Sequence, residues 1–166
     1  MRRTAPDATR IDYTDVRRLA KDDRPLPEAY PLEACGLLFG GDSTQSESLV
    51  SPIIDEFLPI ANVASDPGHR FRMHPQQLIR ALTRGSGEHP AGTRRALLGI
   101  VHSHPKAPPV PSSLDLDPLW NGIASYWIVS LSDLESPAVR AYTITCGGDK
   151  KPVSLPLVFR VGDNSP

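Results

Sequence analysis

The stretch Ala96-Leu97-Leu98-Gly99-Ile100-Val101-His102-Ser103-His104-Pro105 decides how this chain is read. An apolar run of this length carries the strongest buried-strand signal in the sequence, that of a strand covered on both faces. The strand continues into two histidines. Side chains alternate along a strand, so His102 and His104 point to the same side, about 6–7 Å apart along the chain. Two imidazoles so placed suit adjacent corners of one metal ion, and imidazole suits zinc. They equally suit a plainer role as solvated or hydrogen-bonded histidines at a strand end.

Beyond the strand runs a stiff loop, Pro105-Lys106-Ala107-Pro108-Pro109-Val110-Pro111, which holds four of the chain's 18 prolines. Each proline fixes one φ angle and lowers the entropy lost on folding. The loop is therefore expected to hold Ser112 and Asp115, just beyond it, in register with the histidines. Ser112 or Ser113 reads as the cap of a helix running through Leu114, Leu119 and Trp120. Asp115 then falls in the first turn of that helix. There it either complements the helix dipole or returns to the strand end as a third metal ligand. Three protein ligands leave a fourth tetrahedral place for water, the catalytic rather than the structural arrangement.

Outward from this centre, strands are expected at Cys35–Gly41, within Ser48–Ala61, and at Tyr126–Leu131, Val139–Cys146 and Val153–Val161. Pro52 and Pro59 are bulge or end positions. His74–Leu82 reads as a helix with Pro75 near its first position and a one-sided stripe of Leu78, Ile79 and Leu82. Residues 84–95 read as a polar loop. Thr14 caps a short N-terminal helix that Pro25, Pro27 and Pro31 keep from running far. Strands and helices interleave, which predicts one α/β (α+β) domain over residues 1–166 with a mixed sheet. Residues 1–10 read as a loose leader and 160–166 as a polar tail.

Composition narrows the function classes. With 18 Lys and Arg against 19 Asp and Glu, the net charge is −1. Bulk electrostatics thus gives no basis for binding nucleic acid or an anionic membrane. No apolar run is long enough to cross a bilayer, and none follows the charged N-terminus as a secretory signal would require. Cys35 and Cys146 are too few and too far apart for a disulfide framework and read as reduced thiols of a cytoplasmic protein. Proline makes up about 11% of the 166 residues, roughly twice the usual 5%. That excludes a coiled coil or a long helical bundle and favours a compact domain with rigid turns.

Together the motifs resemble a known family. His102-Ser103-His104-Pro105, followed by Pro111-Ser112-Ser113-Leu114-Asp115, is similar to the JAMM motif of the MPN+ (Mov34) metalloproteases: H-x-H, ten residues, then D, with S-x-x-D inside. Glu33-Ala34-Cys35-Gly36-Leu37-Leu38-Phe39-Gly40 resembles that family's E-x-C-G-L-L-x-G stretch. Tyr126–Leu131, Asn62 and Phe71–Pro75 also fit the small bacterial members, and the resemblance covers roughly residues 30–145. It implies the MPN/JAB1 fold, a curved mixed sheet flanked by helices in a cytidine-deaminase-like architecture.

The resemblance also implies roles. His102, His104 and Asp115 would hold a catalytic Zn2+, Glu33 would be the general base, and Ser112 would donate to the oxyanion. Read from the residues alone, Glu33 is one carboxylate among equals with Glu28, Asp55, Glu56 and Glu88, and Ser113 competes with Ser112. The family reaction is hydrolysis after the C-terminal Gly-Gly of a ubiquitin-like protein. The small bacterial members resemble CysO-type peptidases that serve ThiS- and MoaD-like sulfur carriers of the β-grasp fold. Only about ten residues separate Asp117 from the strand at Tyr126, which leaves little room for the insertion that grips a second ubiquitin. Two departures stand out: Pro25 and Pro27 break the approach to Glu33, and Val110 stands where a small residue is common. Alternative readings are a non-catalytic MPN scaffold or another zinc hydrolase such as a deaminase, whose H-x-E…P-C-x-x-C signature is absent. Sheet edges in a domain of this size also favour a homodimer.

Overall fold

A computed structural model describes residues 9–12, 30–42, 53–85, 94–116, 118–120, 122–144, 152–155 and 157–160. In chain order the elements are β1 (Thr9–Asp12), β2 (Cys35–Asp42), β3 (Ile53–Ile60), helix α1 (Pro75–Arg84), β4 (Arg94–His104), a 3₁₀ turn (Pro118–Trp120), β5 (Tyr126–Ser130), β6 (Ala138–Ile144), β7 (Pro152–Leu155) and β8 (Leu157–Arg160). The strands form one sheet in the order β7-β6-β5-β4-β2-β3-β1-β8. It is mixed: β4 runs parallel to β5, and β1 parallel to β3 and β8, while the other neighbours are antiparallel. The α+β class is thus as expected, with a single α-helix among the described residues. The helix expected from Thr14, the start of the Ser48–Ala61 stretch up to Pro52, and Cys146 lie outside them. Among the described residues no helix is long and apolar enough to cross a membrane.

The middle of the sheet is buried on both faces. All five residues of β5 are buried, as an unbroken apolar strand requires. One face gathers Leu38, Ile54, Val101, Trp127, Val129 and Ala141. The opposite face gathers Cys35, Leu37, Ile100, Tyr126, Ile128 and Tyr142, with Met73, Leu78 and Ala81 packed on it. This second face is the side on which His102 lies, because paired positions share a face and Cys35 stands opposite His102.

Three expectations change. The stripe on α1 is only partly the one read from the sequence: Leu78 packs on the sheet and Ala81 is buried, whereas Ile79 is 64% and Leu82 42% exposed. The helix meets the sheet through Leu78 and Ala81. Its C-terminal end comes close as well: a Cβ at Gly85, just past the helix, would sit 2.1 Å from Phe39 Cε1. The loop expected through residue 95 ends sooner, since β4 already begins at Arg94. Last, among the described residues after Ser112 there is a turn and the three-residue 3₁₀ segment in place of the expected α-helix. Pro118 lacks the N–H that would bond to the carbonyl of Leu114 in such a helix, and Gly122, at φ 83°, turns the chain towards β5.

Candidate metal centre

β4 carries His102 and His104 side by side at its end, both buried. Their Nε2 atoms lie 2.9 Å apart. Asp115 reaches back from the turn to meet them, its Oδ1 3.0 Å from His102 Nε2 and its Oδ2 3.7 Å from His104 Nε2. The three candidate donor atoms fall within 4.8 Å of one another. Two imidazole nitrogens and a carboxylate facing one point form a donor set that suits zinc.

The surroundings fix each donor. Pro108 O lies 2.8 Å from His104 Nδ1. A carbonyl only accepts, so Nδ1 carries the proton and Nε2 keeps the lone pair a metal needs. His102 is fully enclosed, its ring stacked on Phe71 at 4.7 Å between centroids and edge-on to Tyr126 at 5.4 Å. Burial makes its imidazole less basic than usual, despite Asp115 beside it. For His104 the balance is reversed. Burial works against its charge, but Asp115 and the Pro108 carbonyl outweigh it and raise its basicity. Asp115, although buried, is held well below the usual carboxylate range by the two histidines and the Ser112 N–H. That N–H donates to Oδ2 at 2.6 Å, and Tyr126 OH donates to Oδ1 at 3.4 Å.

Ser112 behaves as a cap without its helix. Its Oγ accepts from Leu114 N at 3.2 Å, and its carbonyl accepts from Asp115 N at 3.2 Å. The S-x-x-D spacing thus builds the turn that points Asp115 inward, while Ser112 itself stays exposed.

Glu33 arrives from the neighbouring strand. Cys35 pairs with His102 and Gly36 with Val101, so continuing that antiparallel register sets Glu33 opposite His104. Ser103, between the two histidines, stitches the pair. Its N–H donates to Ala34 O, and its Oγ accepts from Ala34 N, both at 2.9 Å. The Glu33 backbone is pinned as well, its N–H donating to Pro67 O at 2.7 Å and its carbonyl accepting from Asn62 Nδ2 at 2.8 Å. The side chain is buried, and Oε2 has no hydrogen-bond partner. Desolvation pushes its pKa up to about 7, partly countered by His104. Glu33 also lines a cavity of about 330 Å³, together with Leu32, Ala34, Pro59, Ile60 and Pro67.

The motif residues Glu33, His102, His104 and Asp115 are thus gathered at one end of β2 and β4. Ser103, Phe71 and Tyr126 were not assigned roles from the sequence. Their partners are distant in the chain, and only the folded structure brings them together. Cys35 keeps a structural role: its thiol donates to Ile60 O at 3.4 Å, and burial pushes its pKa up to about 12. His74 sits at the start of α1, as expected, and His69 pairs with Asp66 on the surface.

Residues 17–145 match the family described as prokaryotic homologs of the JAB domain. A desampylase from Haloferax volcanii is 28% identical over 85 residues, 51% of this chain and 52% of that protein. The match therefore spans about half the length of that relative. Among solved structures, a protein from Desulfitobacterium hafniense superposes with a TM-score of 0.70 at 24% identity, over 93% of this chain and 94% of its own. One from Salinibacter ruber superposes with a TM-score of 0.54 at 22% identity, over 93% and 90%. These two likenesses are of fold.

Proposed function

Because the chain belongs to the family of prokaryotic JAB-domain homologs, we propose that it is a zinc-dependent hydrolase that cuts the peptide or isopeptide bond after the C-terminal Gly-Gly of a ubiquitin-like or sulfur-carrier protein. The observation that carries this reading is the meeting of Glu33 with the His102, His104 and Asp115 donor set at the ends of two paired strands. The partial likeness to a desampylase supports it. A cytoplasmic setting goes with it, since Cys35 is a free thiol of the kind reducing conditions maintain.

His102 Nε2, His104 Nε2 and the Asp115 carboxylate would hold the zinc. When bound, zinc supplies a Lewis acid that polarises a carbonyl and lowers the pKa of water from about 15.7 towards 7. Glu33 takes the proton of the attacking water and passes it to the leaving amine. A carboxylate placed beside the reacting water and the leaving amine can serve both halves of that transfer. Ser112 Oγ accepts from Leu114 N, which leaves its own O–H to donate to the oxyanion that forms as the carbonyl becomes tetrahedral. An extended diglycine tail suits this approach because it carries no side chain to collide with the buried rings.

The test is to incubate the zinc-loaded protein, beside Glu33→Ala, with β-grasp carrier fusions bearing a Gly-Gly junction. Cleavage after the second glycine by the wild type alone is expected. Zinc-loaded protein that cleaves none of these fusions, while still binding a carrier as well as Glu33→Ala does, would establish a binding module instead.

A further inference from the structure

The loop of residues 105–111 is rich in carbonyls that have no neighbouring N–H of their own, because Pro105, Pro108, Pro109 and Pro111 supply none. Three consecutive carbonyls each receive a side-chain donor from a different strand. His104 Nδ1 on β4 donates to Pro108 O at 2.8 Å. Ser130 Oγ on β5 donates to Ala107 O at 2.7 Å, and Tyr142 OH on β6 donates to Pro109 O at 2.6 Å. β4, β5 and β6 are adjacent in the sheet, and Ser130 is the register partner of His104. Val110 N also donates to Pro108 O at 2.8 Å, which closes a tight turn.

Only one of these three donors is a metal-donor residue, and only its bond sets a ligand's tautomer. The other two hold the carbonyls on either side of Pro108 O. From this we infer that Tyr142 and Ser130 are positioning residues for the metal centre. By anchoring the loop across three strands they keep Pro108 O on His104 Nδ1, and so keep His104 Nε2 aimed at the metal. The same anchoring sets the start of the Ser112–Asp115 turn. Both side chains are buried, and neither lies in the H-x-H or S-x-x-D motif. The inference rests on the metal-centre reading above, and its test separates the two.

The full-length chain, freed of metal, is titrated with cobalt(II) alone and with zinc against a chromophoric chelator, beside Tyr142→Phe, Ser130→Ala and Ile144→Val. Tyr142→Phe keeps the ring and removes one hydroxyl. Outer partners of metal-bound histidines contribute about 10–100-fold in metal affinity. Tyr142→Phe is therefore expected to weaken zinc binding about tenfold and to alter the cobalt absorption spectrum, with Ser130→Ala acting in the same direction. Ile144→Val loosens the same strand without touching the loop. It is expected to lower the unfolding temperature while leaving affinity and spectrum at wild-type values. Wild type that binds neither metal overturns the metal-centre reading itself. Wild type that binds, with Tyr142→Phe and Ser130→Ala identical to it in affinity and spectrum, overturns the positioning role. So does Ile144→Val weakening the metal as much as Tyr142→Phe.

Discussion

Glu33 stands opposite His104 across the β2–β4 pair, two places beyond the last paired position, where Cys35 meets His102. The separation of proposed base and metal donor is therefore a property of strand pairing, not of a loop. Glu33→Gln keeps the shape and removes the proton acceptor. It should lower kcat for a Gly-Gly fusion by about 10²–10⁴, with zinc content unchanged on elemental analysis. A variant that loses its zinc, or that keeps full activity, contradicts the role.

The Glu33 carboxyl should also shape the stability of the metal-free protein. Burial raises its pKa from 4.5 to about 7, so the folded state holds the proton more tightly than the unfolded state. Between those values the folded chain binds more protons, and stability falls as pH rises. The contribution is complete below about 4.5 and gone above about 7. Unfolding temperatures of wild type relative to Glu33→Gln should decline across that window and then level off. A constant difference from pH 4 to 8 would show that Glu33 is not desolvated.

Ser103 accepts from the buried Ala34 N–H and holds Glu33 in place through the backbone. Ser103→Ala leaves that N–H without a partner, at a cost of about 1–3 kcal/mol. Urea unfolding should register this loss. Turnover should fall while zinc affinity stays at the wild-type value, since neither histidine ring is touched.

Chelation should abolish hydrolysis, and zinc should restore it. For Asp115→Ala, added zinc should not restore activity, because the variant lacks the carboxylate that both histidines face. Recovery of Asp115→Ala at micromolar zinc would remove Asp115 from the donor set.

Gly99 on β4 faces Ser125, whose Oγ donates to Leu98 O at 2.6 Å and accepts from Trp127 Nε1 at 2.8 Å. A Cβ at Gly99 would lie 2.4 Å from that Oγ and 2.9 Å from Ser125 O. Gly99→Ala should therefore destabilise the chain by about 1–3 kcal/mol through overpacking, measurable as a lower denaturant midpoint. An unchanged midpoint would mean that this junction yields easily.

The parts of the site legible in the sequence are those written locally. His102 and His104 share a face because a strand alternates, and Ser112 and Asp115 are three apart because a turn brings them together. Glu33 is legible only through family resemblance, since its place depends on the register between β2 and β4, extended by the Ala34–Ser103 bond between residues 69 apart. Ser130 and Tyr142 depend in the same way on strands that meet only in the sheet. The helix expected after Ser112 failed for a local reason, Pro118, that the capping pattern masked. On α1, periodicity showed which residues are apolar. Which of them turn inward is set by the packing of the helix on the sheet, which takes Leu78 and Ala81 and leaves Ile79 and Leu82 exposed.

Buried and exposed residues alternate closely around the site. Glu33 is buried beside Leu32 at 44% exposure, and Asp115 beside Leu114 at 54%, while Val110 in the proline loop is 47% exposed. The proposed metal centre is thus framed by the sheet, and the exposed side chains beside it are anchored to it by one peptide bond or by a short loop. Substitutions at such exposed positions usually alter stability by no more than about 0.5 kcal/mol. Leu32, Val110 and Leu114 can therefore be replaced at little cost to stability while the donor set of His102, His104 and Asp115 keeps its place. Under the proposed function, the selection of a substrate can thus be altered without loosening the metal centre.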